Sequence, residues 1–183
     1  VVATLSVPSF DRAAMDGYAV KARETFDSSR LNPKMLDITG ELPAGETPRQ
    51  RVNSGECIQI ATGAMMPSGA DAVVMVEDTE EENERVKVFK SVYPRANVGQ
   101  KGEDIKAGEL VLRRGFVLDP GKIGVLVSQG ISRIRVYEQP KVAILPTGEE
   151  VCQVGQKLRQ GQVYDINSHT IASVVVANGC LPI

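Results

Sequence analysis

The sequence is short of the residues on which many catalytic and metal sites depend. It has no tryptophan, one histidine and three cysteines among 183 residues. Because Cys57, Cys152 and Cys180 form no CxxC pair, their spacing suits neither a Cys/His zinc site nor a disulfide framework. No motif indicates a Ser/His/Asp arrangement built on His169. We therefore expect three free thiols in a reducing cytoplasm.

Strong net charge and long apolar runs are also absent. The 21 basic and 23 acidic side chains leave a formal charge of -2, so no net field attracts nucleic acid or an anionic membrane surface. The longest apolar runs, at 72–76 and 142–145, are far too short to cross a bilayer, and no signal-peptide pattern opens the sequence. The 42% hydrophobic content is enough for a buried core, which predicts a globular protein without nucleic-acid or membrane partners.

Strand patterns with turns between them dominate residues 35–98. Apolar and polar residues alternate at 36–40, 56–61 and 85–90, as in half-buried strands. The run at 72–76 predicts a buried strand, and the acidic residues 77–82 after it predict a solvated hairpin tip. This region is typical of a small β-rich domain.

The next part of the chain predicts a loop, a helix and a strand. Residues 99–104 are polar and rich in glycine, which favours a loop. Asp119 is a good N-cap with Pro120 in the first helical position, and apolar residues follow at helical spacing as far as Gly130. We expect a short amphipathic helix over 120–129 and a strand over 134–136.

The last part begins with a continuous apolar run at 141–145, which favours a strand buried on both faces of a parallel sheet. A polar loop follows, then a helix predicted at about 168–177, and a second strand would begin at Leu181. The predicted fold class is therefore multidomain α/β. It comprises a β-rich domain, a small α+β segment and the first βα unit of a doubly wound domain, which makes the sequence look truncated.

Carboxylates beside glycines are the strongest candidates for chemistry. Taken alone, each is more typical of a turn or a helix cap. Glu149 and Glu150 stand out because they would lie at the carboxyl end of a parallel strand, where open α/β sheets bind ligands. Carboxylates beside an anionic ligand would require a divalent cation, for which Mg²⁺ is the natural choice. The candidates are Asp16, Asp104, Glu149, Glu150 and Asp165.

Six segments in the same order resemble the MoeA and gephyrin E-domain family, over nearly the whole chain from Val7 to Gly179. They are AMDGYAV at 14–20, IATGA at 60–64, PSGADAVVM at 67–75, GEDI at 102–105, TGEE at 147–150 and GQVYDIN at 161–167. The resemblance implies a linker at 1–9, a β-rich second domain at 10–95 and the returning half of a first domain at 96–138. It also implies that residues 139–183 start a truncated molybdopterin-binding third domain.

The resemblance also implies an activity. Members of this family use Mg²⁺ to insert molybdate into adenylylated molybdopterin, and they release AMP. By this likeness Asp16, Thr62, Asp104 and Glu150 are catalytic, and Glu150 and Asp165 hold the metal. The cofactor-binding residues are Thr147, Gly148, Glu149, Asp165 and Asn167.

The resemblance further implies a cytoplasmic homodimer in which the site is shared between subunits. A second implied partner is the upstream molybdopterin adenylyltransferase. The family's N-terminal helices and C-terminal half have no counterpart in this sequence, so we expect the fragment to be inactive alone and the full-length parent to be the enzyme. The alternative is a noncatalytic scaffold like the gephyrin E-domain, which would have no need for clustered carboxylates.

Overall fold

The computed structural model describes all 183 residues, which divide into two compact units at 1–132 and 133–183. The first unit contains most of the strands and one α-helix. Its strands are β1 (Arg12–Ala13), β2 (Gly17–Val20), β3 (Lys34–Leu42), β4 (Glu56–Ile60), β5 (Ala72–Met75), β6 (Thr79–Glu82), β7 (Arg85–Val88) and β8 (Val98–Gly99). Its helices are α1 (Pro120–Ser128) and the 3₁₀ turns Ala22–Thr25 and Val76–Asp78.

Six strands form one sheet in the order β5-β2-β4-β3-β7-β6, in which only β3 and β4 run parallel. Successive side chains of a strand point to opposite faces. Tyr18 and Val20 of β2 accordingly pack in one apolar cluster, while Ala19 packs in another. Since the sheet has a core on both faces, strand β2 is buried throughout.

Residues 1–9, the predicted linker, run beside residues 105–112. Isolated bridges join Val2 to Leu110 and Val7 to Ile105. Gln129, at the end of α1, is buried, and its Oε1 accepts hydrogen bonds from the amides of Thr4 (2.9 Å) and Leu5 (3.0 Å). The amino-terminal residues are thus fixed to the segment that carries α1.

The predicted helix is confirmed within one residue. Asp119 is its N-cap, with Oδ1 accepting from the Lys122 amide at 2.9 Å, and Pro120 occupies the first turn. Gly130 follows the helix at φ +70°, the left-handed conformation that ends many helices.

The second unit contains two short parallel ladders and one helix. Its elements are β9 (Lys141–Val142), β10 (Val151–Cys152), β11 (Val163–Tyr164), α2 (Asn167–Ala177) and β12 (Leu181–Pro182). β9 pairs with β12, and β10 pairs with β11. The order β9, α2, β12 is the predicted parallel βαβ arrangement.

The predicted burial of 141–145 is wrong. Only Lys141 and Val142 form a strand, and Leu145 is 83% exposed. The run pairs with β12 alone, and its side chains alternate: Val142 and Ile144 are half-buried, whereas Lys141, Ala143 and Leu145 are exposed, so only one face is partly covered. The strand predicted at 134–136 is also absent, because these residues pair with no other strand.

The acidic residues 77–82 do not form a hairpin tip. Glu77 and Asp78 lie in a 3₁₀ turn, and Thr79–Glu82 is an edge strand whose Glu82 contacts Lys87 of β7 at 2.7 Å. The tip is instead formed by Asn83 and Glu84, with Asn83 at φ 58°. Asparagine tolerates this left-handed conformation better than most residues, which places the turn after the acidic run.

The three cysteines are free; Cys57 and Cys152 are buried, and Cys180 is half-buried. Burial raises the pKa of the Cys57 thiol to about 12, with the carboxylates of Asp37 and Glu81 adding to the effect. This thiol is therefore unreactive at neutral pH. No helix in the structure combines the length and apolar composition that a membrane span requires.

Candidate functional site

Asp16 and Thr62 form a hydrogen-bonded pair at one end of the main sheet. Asp16 immediately precedes β2, Thr62 follows β4, and these strands pair so that Gly17 faces Ile60. The Asp16 Oδ1 accepts from the Thr62 amide at 2.6 Å and from the Thr62 hydroxyl at 2.8 Å. These two hydrogen bonds hold the pair in a fixed arrangement. Because both residues are exposed, the pair remains open to a ligand.

The hydrogen bonds to Asp16 also set its charge. The Thr62 amide, and after it the Thr62 hydroxyl, hold the pKa of the Asp16 carboxyl below its ordinary value. These donors stabilise the ionised form. Asp16 is therefore an anion at neutral pH, which suits it to accept hydrogen bonds or bind a cation and not to donate a proton.

Glycines on both sides shape the backbone of this pair. A Cβ on Gly17 would lie 1.9 Å from the Val74 carbonyl oxygen, so only glycine lets β2 approach β5 this closely. Gly63 has φ +84°, and its amide donates to the Ala13 carbonyl at 2.8 Å. The loop that presents Thr62 is thus bonded directly to the segment that leads into Asp16.

Asp104 lies in a different place from the Asp16–Thr62 pair. Its amide donates to the Val7 carbonyl at 2.9 Å, and its side chain is exposed. The ribbon formed by residues 7–14 and 97–105 has Asp104 beside Val7 at one end and Asn97 beside Ala14 at the other. The structure thus brings Asp16 and Thr62 together and leaves Asp104 apart from them.

In the second unit, Glu150 folds back over Gly148. A Cβ on Gly148 would lie 2.7 Å from Glu150 Oε1 and 2.8 Å from Oε2, and Gly148 has φ +143°. The backbone conformation favours glycine at this position, whereas the exposed Glu150 side chain could move to make room for a Cβ. Thr147, Gly148, Glu149 and Glu150 are all exposed, and the Glu150 carboxylate takes part in none of the hydrogen bonds or ion pairs of the chain. It is available to a ligand.

Asp165 caps helix α2. Its Oδ1 accepts from the Ser168 amide at 2.9 Å, and Ile166 already has helical angles, so Asp165 occupies the capping position. The neighbouring Ser168 hydroxyl and then the Ser168 amide lower the pKa of Asp165. Asn167, in the first turn, is exposed. A structural role therefore accounts for one oxygen of the Asp165 carboxylate.

The two predicted metal ligands lie at opposite ends of one ladder. Glu150 comes just before β10, Asp165 comes just after β11, and the ladder pairs Val151 with Val163. No group of three or more His, Cys, Asp or Glu side chains in the chain is arranged to hold a metal ion. The oxygen donors are the type that Mg²⁺ prefers, but the backbone separates them.

Comparison with known sequences and structures identifies the class of protein to which the fold of residues 1–132 belongs. Residues 1–130 match the family model of the MoeA N-terminal region (domain I and II). A MoeA protein structure from Pyrococcus horikoshii OT3 superposes with a TM-score of 0.90 at 36% identity, covering 100% of this chain and 49% of that one. A second, from Pyrococcus horikosii, gives a TM-score of 0.77 at 39% identity and covers 47% of that chain. The chain belongs to the MoeA family.

Curated relatives carry a more specific name. The molybdopterin molybdenumtransferase of Nostoc sp. is 38% identical over 183 residues, which is 100% of this chain and 42% of the relative. The Haemophilus influenzae protein of the same name is 38% identical over 172 residues, covering 93% of this chain and 41% of the relative. The chain thus spans less than half the length of these relatives.

Proposed function

We propose that this chain is part of a molybdopterin molybdenumtransferase and acts in molybdenum cofactor biosynthesis. The proposed reaction inserts molybdate into adenylylated molybdopterin with release of AMP. Membership of the family supports the class, but a fold alone does not establish a reaction. The observation that carries the proposal is the exposed, ionised Asp16 held by two hydrogen bonds from Thr62.

The pair gives Asp16 a specific task in this reaction. An anion in a fixed orientation can accept hydrogen bonds from N–H groups of the pterin ring or hold a cation, and it does not need to reorganise when the ligand arrives. Because molybdate and the adenylyl phosphate are anions, Asp16 cannot bind them directly. It therefore orients the pterin or a cation, and other groups contact the oxyanions.

Glu150 is the residue best placed to hold Mg²⁺ in this proposal. Its carboxylate is exposed and free of internal bonds, whereas Asp165 uses one oxygen as a helix cap. Mg²⁺ needs only one or two carboxylates when ligand phosphate oxygens and water complete its shell. The bound cation would neutralise charge on the adenylyl phosphate, while Glu149, Thr147 and Asn167 offer polar groups to the ligand.

The proposed assembly is a homodimer in which the Asp16–Thr62 pair of one subunit faces the Glu150 region of its partner, with Asp104 also on the partner-facing side but apart from the pair. The upstream molybdopterin adenylyltransferase would supply the adenylylated substrate. Mixing inactive Asp16→Ala chains with inactive Glu150→Ala chains tests this arrangement, because each mixed dimer retains one intact site. Failure to recover activity would contradict the shared site.

The decisive experiment compares Asp16→Asn with Asp27→Asn in the complete protein that contains this chain. Asp27 is also an exposed aspartate in a turn, at φ 62°, and asparagine tolerates that conformation. We expect Asp16→Asn to reduce Mg²⁺- and molybdate-dependent AMP release at least about 100-fold, the scale of losing one preorganised electrostatic group. Asp27→Asn should leave AMP release unchanged.

Unchanged AMP release in the Asp16→Asn protein would refute the proposed role of the pair. Absence of activity in the unsubstituted complete protein, with substrate and Mg²⁺ present, would instead favour the noncatalytic scaffold.

A further inference from the structure

Asn97 lies outside the predicted site residues, yet it connects the main sheet to the segment that leads into Asp16. Val73 of β5 is fully buried, and its amide donates to the Ala96 carbonyl at 3.0 Å. The Val73 carbonyl accepts from Asn97 Nδ2 at 2.8 Å. Residues 96 and 97 therefore satisfy both backbone groups of Val73, as a neighbouring strand would, and this anchors Asn97 to a rigid part of the core.

The backbone of Asn97 makes the second connection. Its carbonyl accepts from the Ala14 amide at 2.9 Å, and the next residue, Val98, pairs with Ala13. Ala13 is also bonded to the loop that carries Thr62, since its amide donates to the Ala64 carbonyl at 2.9 Å. The segment Ala13–Ala14 is therefore bonded to Asn97 on one side and to the loop that carries Thr62 on the other.

Both connections depend on the conformation of Asn97. Its φ is 55°, in the left-handed region that asparagine enters more readily than other residues with a Cβ. Asparagine also supplies the amide donor, which glycine lacks. The position therefore requires a residue that combines a left-handed backbone with a short donor side chain.

We propose that Asn97 is a positioning residue for the Asp16–Thr62 pair, with its side chain anchored to β5 and its carbonyl holding Ala14. The effect on catalysis rests on the proposed function, whereas the effect on the geometry of the pair does not. Loss of the anchor should let the segment before Asp16 shift, which lengthens the two hydrogen bonds from Thr62.

The test uses Asn97→Gly in the 183-residue chain, with Asn83→Gly as the matched control. Glycine permits the left-handed φ at both sites and keeps the backbone carbonyl, so only the side chain is lost. Asn83 has φ 58° but lies exposed at a hairpin tip. NMR reports the hydrogen-exchange rate of the Thr62 amide and the titration of the Asp16 carboxyl.

In the Asn97→Gly chain we expect the Thr62 amide to exchange at least about tenfold faster, because its hydrogen bond opens more often. The pKa of Asp16 should rise towards that of an ordinary aspartate. The Asn83→Gly chain should match the unsubstituted protein in both measurements. A folded Asn97→Gly chain with unchanged Thr62 exchange and unchanged Asp16 titration would overturn the proposal.

A second variant covers the case in which Asn97→Gly does not fold. Asn97→Asp keeps the size and tolerates the left-handed φ, but above the pKa of the introduced carboxyl it presents an acceptor to the Val73 carbonyl. We expect the same loss of Thr62 protection at neutral pH. Full Thr62 protection in this variant would also overturn the proposal.

Activity in the complete protein separates this inference from the proposed function. If the unsubstituted complete protein releases no AMP, the proposed function fails, but Thr62 exchange still decides the role of Asn97. Conversely, an Asn97→Gly protein with slow AMP release and normal Thr62 exchange contradicts the positioning role and leaves the proposed function standing.

Discussion

The two units of this chain contain similar local patterns but differ in how they bury them. In residues 1–132, six strands pair into one sheet with an apolar cluster on each face. In residues 133–183, four strands form two separate pairs, helix α2 has no buried residue, and Cys152 is the one buried apolar side chain. An apolar run therefore predicts a strand, but its burial depends on what pairs with it and covers it.

The same difference applies to the candidate sites. The Asp16–Thr62 pair lies at the end of two central strands, and its geometry is fixed by backbone pairing on both sides. The Thr147–Glu150 turn and Asp165 flank ladders of only two residues per strand. The first site is preorganised by its sheet, whereas the second relies on local turns and a helix cap.

The largest expected effect comes from Gly17→Ala, which tests whether the sheet holds the first site. The added Cβ would meet the Val74 carbonyl oxygen at 1.9 Å, so β2 and β5 must separate. We expect the free energy of unfolding to fall by about 3 kcal/mol, as for severe overpacking. Thermal or urea unfolding of the chain measures this.

Gly124→Ala is the control for that substitution. Nothing lies within 4 Å of a Cβ placed on Gly124, which is in α1. We expect a gain of about 0.5–1 kcal/mol from the helix propensity of alanine. Equal effects of the two substitutions would contradict the close approach of β2 and β5.

A second comparison truncates one valine in each unit. Val86 is fully buried in the sheet, while Val176 of α2 is 58% exposed. Val86→Ala should cost about 2 kcal/mol from lost apolar burial and the cavity that remains. Val176→Ala should change stability by less than about 0.5 kcal/mol. A cost for Val176→Ala as large as that for Val86→Ala would show that the second unit has a core of its own.

The smallest expected effect on stability comes from Asp165, where two substitutions distinguish its role as a helix cap from its proposed role in binding the ligand. Asparagine is as good an N-cap as aspartate, so Asp165→Asn should preserve helix α2, whereas Asp165→Ala should destabilise it. Circular dichroism and thermal unfolding of the chain compare the two variants. In the complete protein, both should reduce AMP release if the charge serves the ligand. Normal AMP release with Asp165→Asn would leave Asp165 with the capping role alone.

Most individual elements of this fold could be predicted because their signals are local. Asp119, Pro120 and Gly130 determine helix α1 through capping and backbone preference, and alternation located the long strand β3. The acidic composition of 77–82 predicts the hairpin tip there, but the tip lies at Asn83 and Glu84. Asn83 adopts the left-handed conformation that this tight turn needs. The strand predicted at 134–136 is absent because an alternating pattern does not by itself determine which strand will pair with it.

Of the site, the sequence determined the types of residue and the turns that carry them. Asp16, Glu150 and Asp165 are candidates because they lie in glycine-bearing turns, which bring polar groups to the surface, whereas Thr62 is a site residue only by the family resemblance. Only the tertiary structure decided that Thr62 bonds to Asp16, that Asp104 lies elsewhere and that Asn97 bonds to the segment that leads into Asp16. These facts depend on strand register and on hydrogen bonds between residues far apart in the chain, and neither leaves a periodic signal in the sequence.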